Sequence, residues 1–226
     1  MTVFALDNRL MFPAPSLADD NGLLAVGGDL CHQRLLLAYS CGIFPWNHPD
    51  DPLLWWSPNP RCVLRPNELH ISRTMAKKIR QGNFTITFDH DFSSCIEQCA
   101  NADQRSDGTW VSSDIIEGYT TLHQMGYAHS VECWQDGKLT GGLYGLAIGH
   151  CFCGESMFHT QRDASKLAFI ALAKHLQQLN YQLIDCQLPT EHLHSLGAYD
   201  VSRDDFLHRL HRCNIKVDNH VIAGLF

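Results

Sequence analysis

The spacing of apolar residues changes character at about residue 83. Before that point glycine and proline residues interrupt the pattern, and a single helix is predicted over residues 32–40. From residue 83 the pattern is regular and predicts strands at 84–88, 129–134, 139–148, 150–157 and 182–187, and helices at 91–100, 114–125 and 165–179. We therefore predict an α+β protein, with a small N-terminal α/β domain at 1–82 and a second domain at 83–226.

Several turn and cap residues support this assignment. Asp136 and Gly137 predict a hairpin turn between two strands. The pair of glycines at 141–142 indicates a bulge or a close backbone approach. Asp114 and Glu117 have the spacing of a capping box for the helix at 114–125, and Gly126 would end that helix. The element order from residue 83 is that of an acetyltransferase-like (GNAT) domain, in which helices cover both faces of a mixed sheet.

A basic helix is predicted over residues 72–81, with Ser72 as its cap and Gly82 at its end. The segment 61–80 carries six basic residues and one acidic residue, although the whole chain has a formal net charge of −7. The basic residues of this helix are Arg73, Lys77, Lys78 and Arg80. Such a face suits contacts with phosphate groups, but it equally suits an ordinary solvated helix surface, and the sequence leaves both interpretations open.

Composition narrows the class of protein. No run of about 18 apolar residues predicts a membrane helix, and the N-terminus has no basic start followed by an apolar run, so we expect a cytoplasmic protein. The chain has ten cysteines but no CxxC motif, which favours free, buried thiols. Spacings that approach a metal motif occur only at 151–153, 192–194 and 208–211, and we expect no metal site.

Two segments carry candidate chemistry. Glu155 follows a strand in an apolar setting, where it would bind a substrate group or cap a backbone turn. Asp185 and Gln187 lie on one predicted strand and should share a face, because the side-chain period of a strand is two. They would act on a reacting amine or form a structural polar pair. Three aromatic residues are candidates for stacking on a base or for ordinary core packing: Trp46, Trp110 and Tyr119.

Eleven ordered segments together resemble the leucyl/phenylalanyl-tRNA–protein transferase family. They lie at 21–30 (NGLLAVGGDL), 42–46 (GIFPW), 54–61 (LWWSPNPR), 70–73 (HISR), 109–110 (TW), 128–132 (AHSVE), 141–145 (GGLYG), 154–158 (GESMF), 164–166 (ASK), 185–187 (DCQ) and 195–198 (SLGA). The resemblance implies transfer of Leu or Phe, and also Met, from aminoacyl-tRNA to the N-terminal Arg or Lys of a protein. The product would carry an N-degron for the N-end degradation pathway.

We expect no cofactor and a monomeric chain, although the sequence itself does not decide whether the chain dimerises. Acetyl-CoA users have a glycine-rich turn before the third helix, whereas residues 161–166 (QRDASK) contain no glycine. Two rival functions remain: a small-molecule acetyltransferase that uses acetyl-CoA, and a tRNA-binding protein without catalytic activity.

The resemblance also implies roles for individual residues. It assigns Asp185 and Gln187 to the reacting amine and Glu155 to substrate positioning. It implies a substrate-binding group made of Trp46, Trp110, Tyr119, Leu143, Phe152 and Met157. It favours tRNA contacts by the basic helix. For the chemistry we expect orientation of the amine by Gln187, with Asp185 holding Gln187, in preference to general-base catalysis.

Overall fold

The computed structural model describes residues 3–48, 51–102 and 111–215. The N-terminal part forms a four-stranded mixed sheet in the order β1-β2-β4-β3, in which β1 and β2 are parallel. Its strands are β1 (Phe4–Leu6), β2 (Leu23–Gly27), β3 (Phe44–Pro45) and β4 (Leu54–Trp56), and α1 (His32–Ser40) lies between β2 and β3. The helix predicted at 32–40 is confirmed.

The rest of the chain builds a seven-stranded sheet in the order β11-β5-β10-β9-β8-β7-β6. Its strands are β5 (Arg61–Leu64), β6 (Thr85–Phe88), β7 (Ala128–Gln135), β8 (Lys138–Ile148), β9 (Cys151–His159), β10 (Leu183–Gln187) and β11 (Tyr199–Val201). The β9 and β10 strands are parallel, while the other neighbouring pairs are antiparallel. The fold is therefore mixed α/β with two mixed sheets.

From β6 to β10, the helices and strands follow one another along the chain in the predicted order. The helices that accompany the large sheet are α2 (Arg73–Gln81), α3 (Phe92–Ala102), α4 (Ser113–Gln124), α5 (Ala164–Gln178), α6 (Glu191–His194) and α7 (Arg203–Arg212). The succession from β6 to β10 is the one expected of an acetyltransferase-like domain. After β10 the sequence predicted only short helices and missed β11, which has three residues. Within the described ranges, no helix has the length and apolar character needed to cross a membrane.

Most of the predicted turn and cap residues have the expected geometry. Asp136 and Gly137 form the two-residue turn between β7 and β8, both with positive φ. A side chain at Gly141 would meet Ala164 at 2.6 Å, which confirms a close approach. The capping box was wrong: α4 begins at Ser113, and Ser112 is its cap, accepting a hydrogen bond from the Ile115 amide. Ser112 takes this role because its backbone is extended and its hydroxyl reaches the amide three residues on.

Two hydrophobic cores lie on opposite faces of the large sheet. The first joins α3 and α4 to α1 and the small sheet, and includes Phe12, Trp55 and Ile96. The second lies under α5 and receives Met75 from α2. The boundary at residue 82 stays a prediction, but β5 (Arg61–Leu64) already belongs to the large sheet, since it pairs with β10 and β11. Both sheets therefore share the first core.

Candidate active site

A cavity of about 500 Å³ opens beside the carboxyl ends of the parallel strands β9 and β10. Ligands commonly bind where parallel strands end, because side chains from several elements converge there. Apolar side chains line much of the wall, among them Leu143, Phe152 and Met157. The polar part of the wall includes Glu155, Asp185 and Gln187, together with serine, threonine and histidine side chains such as Ser165, Thr190, His159 and His192. The structure thus brings the three predicted catalytic residues together with four of the predicted substrate-binding residues, since Trp46 also lines the cavity.

A β-bulge directs Glu155 toward its partners. In the β8–β9 pairing, Tyr144 lies opposite Ser156 and Gly145 opposite Gly154, so Glu155 is the extra residue. One carboxyl oxygen accepts a hydrogen bond from Gln187 Nε2 at 2.9 Å. The other accepts one from the Tyr119 hydroxyl at 2.9 Å. The side chain is therefore held from both sides, and it links β10 to α4.

Asp185 is bound on the protein side of the cavity wall. Arg61 donates two hydrogen bonds to its carboxylate, from Nε at 2.8 Å and from Nη2 at 2.6 Å. Both side chains are 1% exposed, so this is a buried, bidentate ion pair. The backbone N–H of Gln187 also donates to Asp185, at 3.0 Å. All these bonds hold Asp185 in one orientation.

Gln187 departs from the strand geometry predicted for it. The β5–β10 register shifts between Asp185 and Gln187, and Gln187 has a φ of +63°. The prediction that Asp185 and Gln187 share a face by simple alternation is therefore wrong, because Cys186 is an extra residue in the pairing. Left-handed backbone is uncommon for a residue with a side chain, and it clusters at functional sites. Here the Asp185 carboxylate stabilises it by binding the Gln187 N–H.

Burial is the main influence on Glu155, and it raises the pKa of that carboxyl to about 8. Hydrogen bonds from the Tyr39 and Tyr119 hydroxyls act in the opposite direction and lower it. Burial also raises the pKa of both tyrosines, so their hydroxyls remain protonated donors. The two hydroxyls are in direct contact with each other. At neutral pH the Glu155 carboxyl is therefore mainly protonated.

The predicted aromatic residues have different surroundings. Trp46 is 40% exposed at the cavity and packs edge-on against Trp56, so part of its ring remains accessible. Tyr119 is fully buried and does not line the cavity, so the stacking interpretation is wrong for it. Its ring sits in the first core because α4 turns that face inward, and only its hydroxyl reaches Glu155. Trp110 lies outside the described residues.

The basic helix α2 forms as predicted, with the Ser72 hydroxyl accepting from the Met75 amide and Gly82 in the left-handed region. Arg73, Lys77 and Arg80 are exposed. The Lys78 ammonium instead binds the Asp163 carboxylate at 2.7 Å and the Arg162 carbonyl at 3.1 Å. This pair joins α2 to the start of α5, two residues before the cavity residue Ser165. Three exposed cations therefore lie on a helix whose fourth cation anchors it to the start of α5, close in the chain to the cavity residue Ser165.

Two members of the site escaped sequence reasoning. Arg61 was counted only as one of a group of basic residues, and nothing local indicates that it pairs with Asp185, 124 positions away. Tyr39 looks in the sequence like an ordinary apolar residue of a short helix, and its partner Tyr119 lies 80 positions further along the chain.

The prediction of free thiols is confirmed for all ten cysteines, eight of which are buried.

Comparison with known proteins adds a separate result. The leucyl/phenylalanyl-tRNA protein transferase family model matches residues 63–211, and the model of its N-terminal domain matches residues 28–59. A leucyl/phenylalanyl-tRNA–protein transferase from Desulforapulum autotrophicum is 53% identical over 212 residues, which cover 93% of each chain. The protein of the same name from Syntrophotalea carbinolica is 50% identical, over 95% of this chain and 94% of that one.

Among solved structures, a GCN5-related N-acetyltransferase from Kribbella flavida has a TM-score of 0.38 at 12% identity. It covers 73% of this chain and 58% of that one. The sequence matches, in contrast, are strong and extend across both sheets.

Proposed function

Because the chain belongs to the leucyl/phenylalanyl-tRNA–protein transferase family and is therefore an aminoacyltransferase, we propose that it moves Leu, Phe or Met from aminoacyl-tRNA to the N-terminal Arg or Lys of acceptor proteins. The modified protein carries an N-degron that the N-end degradation pathway recognises. The enzyme acts as a monomer in the cytoplasm, where aminoacyl-tRNA is available, and its own side chains suffice for the reaction.

The observation that carries this proposal is the polar network on the wall of an otherwise apolar cavity. It runs from Arg61 through Asp185 and Gln187 to Glu155. An apolar space beside fixed hydrogen-bonding groups suits an uncharged amino-acid side chain whose ester carbonyl must meet an amine. Such a network is also costly to bury, which supports a functional reason for its presence.

The donor amino acid enters the apolar part of the cavity. Met157 is half-buried beside the buried Leu143 and Phe152, and an unbranched thioether adapts to Leu, Phe or Met side chains. Donors branched at Cβ fit this space less well. That discrimination is modest, since a methylene-scale difference contributes about 1–3 kcal/mol. Trp46 at the rim stacks on the terminal adenosine, together with Trp110 as the family resemblance implies.

The acceptor amine binds Gln187. Its Nε2 is engaged with Glu155, so the amide oxygen is the atom that accepts an N–H bond from the incoming amine. Asp185 acts indirectly: Arg61 and the Gln187 backbone N–H engage both of its oxygens, which argues against a role as a general base. Asp185 and Glu155 are thus positioning residues that fix the backbone and the amide of Gln187.

The reaction itself is aminolysis of an ester. The α-amine nitrogen bonds to the ester carbonyl carbon, the bond from that carbon to the ribose oxygen breaks, and the departing oxygen takes up a proton that the amine releases. An α-amine has a reference pKa of about 7.7–8.0, so a useful neutral fraction exists near neutral pH. Placement alone can contribute on the order of 7–11 kcal/mol in favourable cases. This reaction therefore suits a site whose side chains orient the amine and the ester, without a side chain that acts as a general base.

A direct assay tests the proposal. The full chain is mixed with radiolabelled Phe-tRNA and a peptide that begins with Arg, and the label on the peptide is measured. We expect transfer to this peptide and none to the same peptide with an acetylated N-terminus. Absence of label on the Arg peptide, while a known transferase succeeds in parallel, would refute the function. Labelling by acetyl-CoA instead would favour the acetyltransferase alternative.

A further inference from the structure

Three metal-ligand side chains converge at an edge of the large sheet. They are Cys62 on β5, His194 at the end of α6 and Asp200 on β11, and their ligand atoms all lie within 4.8 Å of one another. Among the described residues this is the one group of three such side chains that meets that distance. We propose that Cys62, His194 and Asp200 form a binding site for a zinc-class divalent cation. The proposal is independent of the transferase reaction.

The fold holds these residues together through backbone pairing. Asp200 lies directly opposite Cys62 in the antiparallel β5–β11 pair. The α6 helix is capped by Thr190 and ends at His194, and the chain then turns at Gly197, which has a φ of +98°, to enter β11. His194 is thereby carried back to the strand pair, and its Nε2 lies 3.1 Å from an Asp200 carboxylate oxygen. Two of the three ligands are fixed by register and the third by a short connection.

The ligand atoms, which lie within 4.8 Å of one another, are close enough for small side-chain adjustments to bring them into tetrahedral coordination. Zinc bonds sulfur at about 2.3 Å and nitrogen or oxygen at about 2.0–2.2 Å, which separates neighbouring ligand atoms by roughly 3.4–3.6 Å. The His194–Asp200 separation is already close to that value. Both of these side chains are about two-fifths exposed, at 43% and 36%, so they can adjust while the buried thiol stays in place. A water molecule completes the fourth position, as in zinc sites with three protein ligands.

The ligand chemistry selects the class of cation. A thiolate and an imidazole are soft or borderline donors that favour zinc over magnesium or calcium, which prefer oxygen. The thiolate and the carboxylate together neutralise a divalent charge. The thiol is fully buried, but the two ligands above it face solvent, so the cation reaches it between His194 and Asp200.

A bound cation would stabilise β5, the strand whose Arg61 binds Asp185 in the polar network of the cavity. Cys62 follows Arg61, the partner of Asp185, and lies opposite Gln187 in the β5–β10 pairing. A cation at this position links β5, β11 and α6, elements that otherwise meet through hydrogen bonds and packing. A ligand that binds only the native state stabilises it in proportion to the logarithm of its concentration above the dissociation constant. We therefore expect zinc to raise the thermal midpoint of the chain.

Direct binding measurements with zinc and cobalt test the site. The purified chain is dialysed against chelator and then titrated with Zn²⁺ by calorimetry and with Co²⁺ by absorption. We expect one tight site per chain and a near-ultraviolet band from thiolate-to-cobalt charge transfer. His194→Ala and Asp200→Ala change exposed residues, so both should fold, and each should weaken zinc binding at least tenfold. Cys62→Ser should abolish the cobalt band.

Two matched variants control for the many other histidines and thiols. His208→Ala removes an exposed histidine on α7, and Cys133→Ser alters a buried thiol on β7, four strands away in the sheet. Both should bind zinc like the parent. The site is disproved if the parent gives no thiolate band, or if His194→Ala and Asp200→Ala bind zinc as tightly as the parent does.

Discussion

The buried pair of Arg61 and Asp185 is the residue-scale feature on which the site depends. Arg61 also donates to the Gly42 carbonyl at 3.3 Å and lies over the rings of Phe44 and Phe206. A buried ion pair contributes little net stability, but removing one partner costs about 3–5 kcal/mol because the other charge is left unpaired. The presence of the pair is therefore better explained by its structural effect: Arg61 fixes Asp185, and Asp185 binds the backbone N–H of Gln187.

Gln187→Ala tests whether the amide orients the amine. The backbone bond to Asp185 survives in this variant, so the fold should be retained. We expect kcat for Phe transfer to fall roughly a hundredfold, because misplacement of a reacting group has effects of that order. The affinity for Phe-tRNA should remain close to that of the parent. Gln178→Ala, on the exposed side of α5, is the control. Equal loss of tRNA binding and transfer would contradict an orienting role.

Glu155 should make stability depend on pH. Its native pKa of about 8 lies above its ordinary value of 4.5. Between these values the unfolded chain loses the proton while the native chain keeps it, so the free energy of unfolding falls as pH rises through this window. Glu155→Gln removes that dependence. Urea unfolding of both chains at about pH 5 and about pH 8 measures it. Identical pH slopes for the two chains would show that the carboxyl titrates normally.

Sequence reasoning found the site residues that lie in short motifs and missed those brought in by the fold. Glu155, Asp185 and Gln187 could be predicted because polar groups stand out within apolar strands. Arg61 and Tyr39 could not, since their partners are distant in the chain. The orientation of Gln187 also escaped prediction, because a bulge breaks the alternation that the prediction assumed.

At the scale of elements, the ends of helices and hairpins could be predicted more reliably than the edges of sheets. The α2 helix and the turn at Asp136 follow from local chemistry, namely a capping hydroxyl and positive-φ residues. The short strand β11 has no such local signal, because its pairing with β5 supplies its stability. The proposed metal site lies at that edge, which explains why spacing along the chain pointed only to His194, within 192–194, and not to Cys62 or Asp200.

The exposed cations of α2 give an element-scale prediction. Lys78 is paired with Asp163, so the test uses Arg73→Glu, Lys77→Glu and Arg80→Glu together. We expect weaker tRNA binding and a salt dependence whose slope flattens by about one for each phosphate group that the helix no longer binds. Lys174→Glu is the control, because Lys174 is an exposed cation of α5 that does not line the cavity. An unchanged salt slope in the triple variant would show that the helix face is only solvated.

At the scale of the molecule, the two sheets share a hydrophobic core. Phe12 packs edge-on against Trp55 with ring centroids 4.8 Å apart, and both belong to the core that contains Ile96 of α3. A domain boundary inferred from composition alone does not reveal this continuity, because burial between distant segments is a property of the fold.

Unfolding should therefore be a single event. We expect the denaturant transitions followed by tryptophan fluorescence and by far-ultraviolet circular dichroism to coincide. Phe12→Ala leaves a cavity in the shared core and should lower the free energy of unfolding by about 3–5 kcal/mol, with both transitions moving together. A shift in fluorescence alone would mean that the small sheet unfolds by itself.

The contacts of Arg61 with Gly42 and Phe44 limit how this enzyme can be rearranged. The guanidinium that binds Asp185 on β10 contacts residues contributed by the first fifty positions. A fusion or chimera that transplants only the larger half would therefore keep Asp185 and Phe206 but remove the Gly42 and Phe44 contacts of this cation. Any exchange of specificity between relatives, whether by recombination or by engineering, must carry both halves as a matched set.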